Sequence, residues 1–260
     1  MFISKISNSK RDTWRQCKLK YRYQYVDYLP EPEGADTKAL AFGNYIHKVL
    51  EDGVDATTMD QLLRIAEETK GSYDIHPVYK GKDITCFENF LKFNKSLAKT
   101  IATEIRFEVF LTEGVNQTGI IDRVIEGSEG GVLIIDYKTS KREKTKVELF
   151  QDPQLQGYVR AWHKEYGTPI NKITAAHYYP LTNNFVSVKY SPAQIAGIEK
   201  TLISDVWKIR KCKKDELTPQ RNQFCSWCTF KPACTEFNTQ SEVDEVVQML
   251  EESKKKKDDQ

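Results

Sequence analysis

The sequence predicts an α/β fold, a mixed central sheet of about five strands with helices before and after it. Three observations carry this. Up to residue 102, apolar residues recur at helical spacing. After residue 103, EIRFEVFL, TGIIDRVIE and GVLIIDYK read as three strands bounded by Gly-rich turns, and ITAAHYYPL (173–181) and FVSVKY (185–190) as two more. Between the third and fourth lies a helix with both ends signalled: Asp152 as N-cap, Pro153 as the first helical residue and Gly167 as the stop.

The first helix is expected from Ser9, where S-K-R-D fits a capping box, to about Val26. Trp14, Cys17, Tyr21 and Tyr25 then share one face, and Arg11, Arg15, Lys18 and Arg22 the neighbouring one. EPEGAD (31–36) reads as a loop. A second helix over Thr37 to Glu51 buries Ala39, Gly43, Ile46 and Leu50, with His47 at the edge of that stripe. Residues 58–69 and 84–102 read as further helices. A long helix over 192–214 ends in KIRKCKK, followed by a cysteine cluster, a short helix and the tail ESKKKKDDQ, expected to be disordered. The expected organisation is one domain over 1–240, with a helical part (1–102), a sheet core (103–191) and a helix-plus-cysteine segment (192–240), followed by a helix and charged tail over 241–260.

Of 260 residues, 39% are hydrophobic and 29 are aromatic, which excludes a mainly disordered chain. No stretch approaches 18 consecutive apolar residues and the N-terminus has no apolar core of signal-peptide length, so a soluble, cytoplasmic protein is expected. The net charge of +2 is an average. Residues 1–25 hold seven Lys/Arg against one acid, 138–146 hold five against one, and 208–214 hold five against none. Such basic segments suit a phosphate-bearing partner bound without sequence preference.

Strand side chains alternate between faces. Thr118, Ile120, Asp122 and Val124 are expected on one face of the second strand, and Val132, Ile134, Asp136 and Lys138 on one face of the third. Each strand thus sets an acid among apolar neighbours, where a carboxylate is costly unless paired or bound to a metal. Two carboxylates suit Mg²⁺ or Mn²⁺, and a lysine two residues after the second acid can stabilise charge on a phosphoryl group. Gln154 and Tyr158, at i and i+4 on the following helix, can reach the same place. Cys225, Cys228 and Cys234 form C-x₂-C-x₅-C, which asks for a fourth ligand. Cys17 is the best candidate and Cys212 the alternative, and spacing alone leaves zinc and iron–sulfur both open. Cys86 and Cys212 are otherwise assigned to packing or exposure.

Gly119-Ile-Ile-Asp122-Arg123, then Ile135-Asp136-Tyr137-Lys138-Thr139, then Gln154-Leu-Gln-Gly-Tyr158 resemble the motif series of RecB-like nucleases of the PD-(D/E)XK superfamily. The opening segment with Cys17 and Tyr21, and Ala41-Phe-Gly-Asn-Tyr-Ile-His47, are similar to that family's first motifs, so the resemblance spans about residues 3–237. It implies a restriction-endonuclease-like sheet with the N-terminal helical segment and the cysteine cluster packed together. It implies Asp122 and Asp136 as metal ligands with the Tyr137 carbonyl, His47 approaching the metal, Lys138 as catalytic lysine, and Gln154 and Tyr158 near the scissile phosphate. Glu104, opening the first strand, is an outer-shell acid on this reading. An early Cys with a late C-x₂-C-x₅-C implies a four-iron four-sulfur (4Fe-4S) cluster on Cys17, Cys225, Cys228 and Cys234. Its role would be structural, pinning a chain separation of 208 residues from Cys17 to Cys225.

The function expected is a Mg²⁺- or Mn²⁺-dependent deoxyribonuclease, an exonuclease on single-stranded DNA or DNA ends in repair, recombination or phage DNA processing. Arg11, Arg15, Lys18, Arg22, Arg123, Lys141 and Arg142 are the expected DNA contacts. Recombination or CRISPR-adaptation proteins are the expected protein partners, and no membrane is. GxxxxGK[ST] is absent, so no ATPase is expected in this chain, and its length is expected to set it apart from large helicase–nuclease subunits. The rivals are a non-catalytic DNA-binding module and a zinc-stabilised restriction-like endonuclease.

Overall fold

The protein was analysed as a computed structural model, which describes residues 2–32 and 37–258. Part of EPEGAD (33–36) and the last two residues of the tail lie outside the described residues. The elements are β1 (Lys5–Ile6), α1 (Asn8–Gln16), α2 (Lys18–Tyr25), α3 (Lys38–Asp52), α4 (Met59–Lys70), α5 (Lys82–Asn94), β2 (Thr100–Thr112), β3 (Val115–Glu126), β4 (Val132–Tyr137), α6 (Lys146–Phe150), α7 (Pro153–Tyr166), β5 (Ile173–Tyr179), β6 (Asn184–Lys189), α8 (Pro192–Lys211) and α9 (Gln240–Asp258). They form two compact units. One comprises Met1–Asp36, Glu113–Val115 and Leu202–Gln260; the other comprises Thr37–Thr112 and Asn116–Thr201.

The second unit is built on the sheet. β2 pairs with β3, and the order continues β3-β4-β5-β6. β3 and β4 are antiparallel with Val124 opposite Ile134, β4 and β5 are parallel with Asp136 opposite His177, and β5 and β6 are antiparallel. The sheet is mixed because α6 and α7 fill the β4–β5 connection, the crossover a parallel pair requires. Alternation then makes two cores. Val124, Ile134 and Ala175 join Phe107, Leu155, Val159 and Trp162 on the α7 side. Ile125, Ile135 and Tyr137 join Phe42, Ile46, Leu50, Phe87 and Phe90 on the side of α3 and α5. Asp152 caps α7 by accepting from Gln154 N and Leu155 N, and Gly167 ends it at φ 69°, as the sequence predicts.

Two expectations fail here. The helix over 84–102 stops at Asn94, and strand β2 takes over from Thr100, so Glu104 lies inside a strand and does not open one. The β-branched run Thr100, Ile101 and Thr103 fits a strand better than a fourth helical turn. The strict alternation expected of 118, 120, 122 and 124 also slips, since Ile121 and Val124, three residues apart, share one core.

In the first unit, the single helix over 9–26 is two. α1 is capped by Ser7, not Ser9, and ends at Cys17, whose extended backbone (φ −158°, ψ 118°) separates it from α2. The reason is tertiary: Leu19 N, an orphan donor of the first turn of α2, donates to Thr218 O. The Tyr23 hydroxyl donates to Ala233 O, and Leu19, Tyr23, Leu29, Phe230, Ala233 and Leu250 form one core. The N-terminal helices and the cysteine-bearing segment are thereby packed together. The tail also departs from expectation, because α9 is helical through Asp258 and the tail residues up to that point are part of it.

Candidate functional site

The second unit gathers acids, a lysine and two histidines at one end of β3, β4 and β5. Asp122 directly precedes the residues of β3 paired to β4, and its Oδ2 accepts from Tyr137 N at 2.7 Å. Asp136 ends the buried part of β4 and is 1% exposed. α3 supplies His47: Ile46, Val49 and Leu50 seat the helix in the core and leave the partly exposed imidazole with Nδ1 3.4 Å from Asp122 Oδ2. Its tight seating is visible at Gly43, where a Cβ would come within 3.2 Å of Thr139 Oγ1. Glu104 is held in β2 at φ 47°, a strained value for a residue with a side chain. One ligand atom each from His47, Glu104 and Asp122 lie within 4.8 Å of one another, so these three could hold a metal ion.

Asp136 is joined to the group through Lys138, whose Nζ lies 2.6 Å from Asp136 Oδ2. The same ammonium donates to Gln154 Oε1 at 2.8 Å, and Gln154 Nε2 donates to the Tyr158 hydroxyl at 2.7 Å. The i, i+4 pair of α7 thus holds the lysine from one side and the carboxylate from the other.

Electrostatics follow from burial and from the crowding of two carboxylates. Burial, and then the Asp136 charge, hold Asp122 well above the usual carboxylate range, with the Tyr137 amide opposing. Burial lowers His47 below the ordinary histidine value against the pull of Asp136. For Lys138, burial alone would favour the neutral amine, but the neighbouring Asp136, with Asp122 and Asp152, keeps its pKa raised. Burial and the Asp136 and Asp122 charges raise the Tyr158 phenol, so it stays protonated.

Residues that the sequence reading left out complete the surroundings. His177, fully buried on β5, places Nε2 3.6 Å from Asp136 Oδ2 and 3.8 Å from Asp152 Oδ2. Lys144 Nζ meets Asp152 Oδ2 at 2.5 Å. A histidine inside the otherwise apolar run of β5 was the available signal, but only the β4–β5 register shows that it faces Asp136.

Of the basic residues expected to face DNA, Lys141 and Arg142 are exposed after β4, and Arg142 pairs with Glu148. Two are corrections. Arg11 is 2% exposed and bound to Asp205 at 2.8 Å, and Arg123 is 2% exposed and donates to Thr100 Oγ1. Neither guanidinium is available to a phosphate. Arg15 shares Asp205, Arg22 pairs with Asp27, and Lys18 lies over the Trp14 ring. In the first unit, Cys17, Cys225, Cys228 and Cys234 are partly buried free thiols lining one pocket with Phe224 and Phe237, while Trp227 is 74% exposed. No described helix is long and apolar enough to cross a membrane.

Comparison with known proteins agrees with this geometry. A large subunit of the ATP-dependent helicase/deoxyribonuclease of Streptococcus uberis is 28% identical over 150 residues, which are 52% of this chain and 14% of that protein. The corresponding helicase/deoxyribonuclease protein of Streptococcus mutans is 28% identical over 175 residues, 60% of this chain and 16% of that protein. The chain therefore spans about a sixth of the length of these relatives, and the expected separation from large helicase–nuclease subunits is not what they display. The fold resembles the crystal structure of a provisionally assigned exonuclease from Eubacterium rectale, with a TM-score of 0.54 and 13% identity over 86% of this chain and 87% of that one. The profile of the PD-(D/E)XK nuclease superfamily, whose members use divalent metals, matches residues 5–235, and the chain belongs to that superfamily.

Proposed function

We propose that this chain hydrolyses DNA phosphodiester bonds with Mg²⁺ or Mn²⁺, as an exonuclease on single strands or strand ends in repair, recombination or phage DNA processing. The observation that carries the reading is the convergence of a His47–Glu104–Asp122 ligand set with the Asp136–Lys138–Gln154–Tyr158 chain in one unit. The donor set fits a hard divalent ion: oxygens predominate, and the buried, mutually repelling Asp122 and Asp136 ask for a cation. His47, Asp122, Asp136 and the Tyr137 carbonyl would hold it, with Glu104 beside them. The ion supplies an activated water and a polarised phosphate. Lys138, fixed by Asp136 and Gln154, keeps a full positive charge where phosphoryl charge develops. Tyr158 and Gln154 orient that lysine and the nearby phosphate, and Lys141 and Arg142 hold the strand electrostatically. DNA is the partner this chemistry addresses, with recombination or CRISPR-adaptation proteins as further candidates. Cutting of end-labelled DNA in Mn²⁺, with free and blocked ends, tests the reading. Loss of cutting in Asp136→Ala is expected, and undiminished activity in that variant would overturn it.

The cysteine pocket supports the four-iron four-sulfur assignment on Cys17, Cys225, Cys228 and Cys234. Asn222 Nδ2 donates to Gln16 O and Asn222 N to Cys225 Sγ, tying the first ligand's neighbour to the second ligand. Four thiolates on one zinc at about 2.3 Å each would sit within roughly 4 Å of one another. Among the described residues, no three of these sulfurs share the 4.8 Å spacing of the His47 set, so the wider arrangement suits a polynuclear cluster. Iron and acid-labile sulfide in anaerobically purified protein check this. Cys17→Ser should lose both and Cys212→Ser neither; full iron in Cys17→Ser would refute the assignment of the fourth ligand.

A further inference from the structure

We propose that His177 is a positioning residue for Asp136, with its tautomer set by Tyr179 and its far side fixed by Asp152. The inference rests on the metal-dependent reading above. His177 lies directly beside Asp136 in the parallel β4–β5 register and is fully buried. An imidazole at such a strand position costs free energy that an apolar side chain would not, and its neighbours Ala175, Ala176 and Tyr178 are all buried. The hydrogen bonds around it define its state. Tyr179 Oη accepts from Lys144 N at 2.8 Å, which leaves the phenol proton to be donated to His177 Nδ1 at 3.2 Å. Nδ1 is therefore the acceptor, and Nε2 carries the hydrogen. That N–H lies between the two buried carboxylates, 3.6 Å from Asp136 Oδ2 and 3.8 Å from Asp152 Oδ2. Both are longer than a hydrogen bond, as is common in catalytic centres before their ligands arrive.

The contacts close into a ring. Asp152 caps α7 through Gln154 N, Gln154 holds Lys138, Lys138 pairs with Asp136, and His177 stands between Asp136 and Asp152. Asp136 is thus oriented from two sides, by Lys138 in front and His177 behind. An outer partner that orients a ligating carboxylate changes metal affinity or activity by about 10–100-fold when removed.

The experiment is Mn²⁺ titration calorimetry on the full chain without DNA, together with cutting kinetics and thermal unfolding. His177→Leu should bind Mn²⁺ about 10–100-fold more weakly and lower kcat, with the KM for DNA unchanged. His177→Gln, whose Nε2 donor can take the place of the imidazole's, should recover most of the affinity. Tyr179→Phe keeps the packing but removes the group that sets the tautomer, and it should weaken Mn²⁺ binding several-fold; this variant and His177→Gln decide the matter if His177→Leu does not fold. Wild-type Mn²⁺ affinity in both Tyr179→Phe and a folded His177→Leu would overturn the inference and leave the metal reading intact. A wild-type chain that binds no Mn²⁺ would overturn the metal reading itself.

Discussion

Gly119→Ala is a substitution whose sign the structure reverses. Gly119 does not have a left-handed φ, so a residue with a side chain fits its backbone conformation. Replacing glycine in a strand should then stabilise by about 0.5–1 kcal/mol through the unfolded chain. A Cβ here, however, would lie 2.6 Å from Phe107 Cζ and 2.7 Å from Cε1. An ordinary carbon–carbon contact is about 3.5–4.0 Å, so the ring must move by roughly 1 Å. It has little room, because Phe107 is buried in the α7-side core and packs edge-on against Tyr158 at 6.0 Å between centroids. Overpacking of this kind costs about 1–3 kcal/mol, which outweighs the entropic gain. The net loss of about 0.5–2 kcal/mol should lower Tm by roughly 1–8 °C at about 2–4 °C per kcal/mol. Because Tyr158 accepts from Gln154, which in turn holds Lys138, cutting should fall further than stability does, by about tenfold or more. Thermal unfolding and cutting rates measure the two effects. Phe107→Leu added to Gly119→Ala should restore both, a coupling expected only of residues in contact. A Gly119→Ala protein as stable and as active as the parent would refute the reasoning.

Two further outcomes are expected. Asp122 has a folded-state pKa above its ordinary value, so the stability tied to its protonation is present at low pH and is lost as pH rises through the folded value. In EDTA at pH 8, Asp122→Asn should therefore melt above the parent, with the gap closing toward pH 4; Mn²⁺ should stabilise the parent but not the variant. A variant that melts below the parent at pH 8 would contradict this. In the first unit, Asp205→Ala strands the buried Arg11 and should cost about 3–5 kcal/mol in urea denaturation, toward the lower end if Arg15 relaxes into solvent. A cost under about 1 kcal/mol would show that the pair is not the buried ion pair described.

Local periodicity alone placed several parts of the site. Asp136 and Lys138, two apart on a strand, must share a side, and Gln154 and Tyr158, four apart on a helix, must share a face. The boundaries of α7 were legible for the same reason, since Asp152, Pro153 and Gly167 act on their own backbone. Charge counting misled at Arg11 and Arg123, because a local sum cannot see Asp205, 194 residues away, or Thr100. Helical spacing carried the first helix through Cys17 because the bond that breaks it, Leu19 N to Thr218 O, joins residues far apart in the chain.

The sequence by itself determined the fold class, the family and the short-range pairs, since each depends on residues within a few turns or one strand of each other. Tertiary structure decided the rest. Only the packing of α3 and β2 brings His47 and Glu104 to Asp122, and only the parallel β4–β5 pairing sets His177 beside Asp136. Those residues lie tens of positions apart, and what joins them is burial and strand register, neither of which a local pattern encodes.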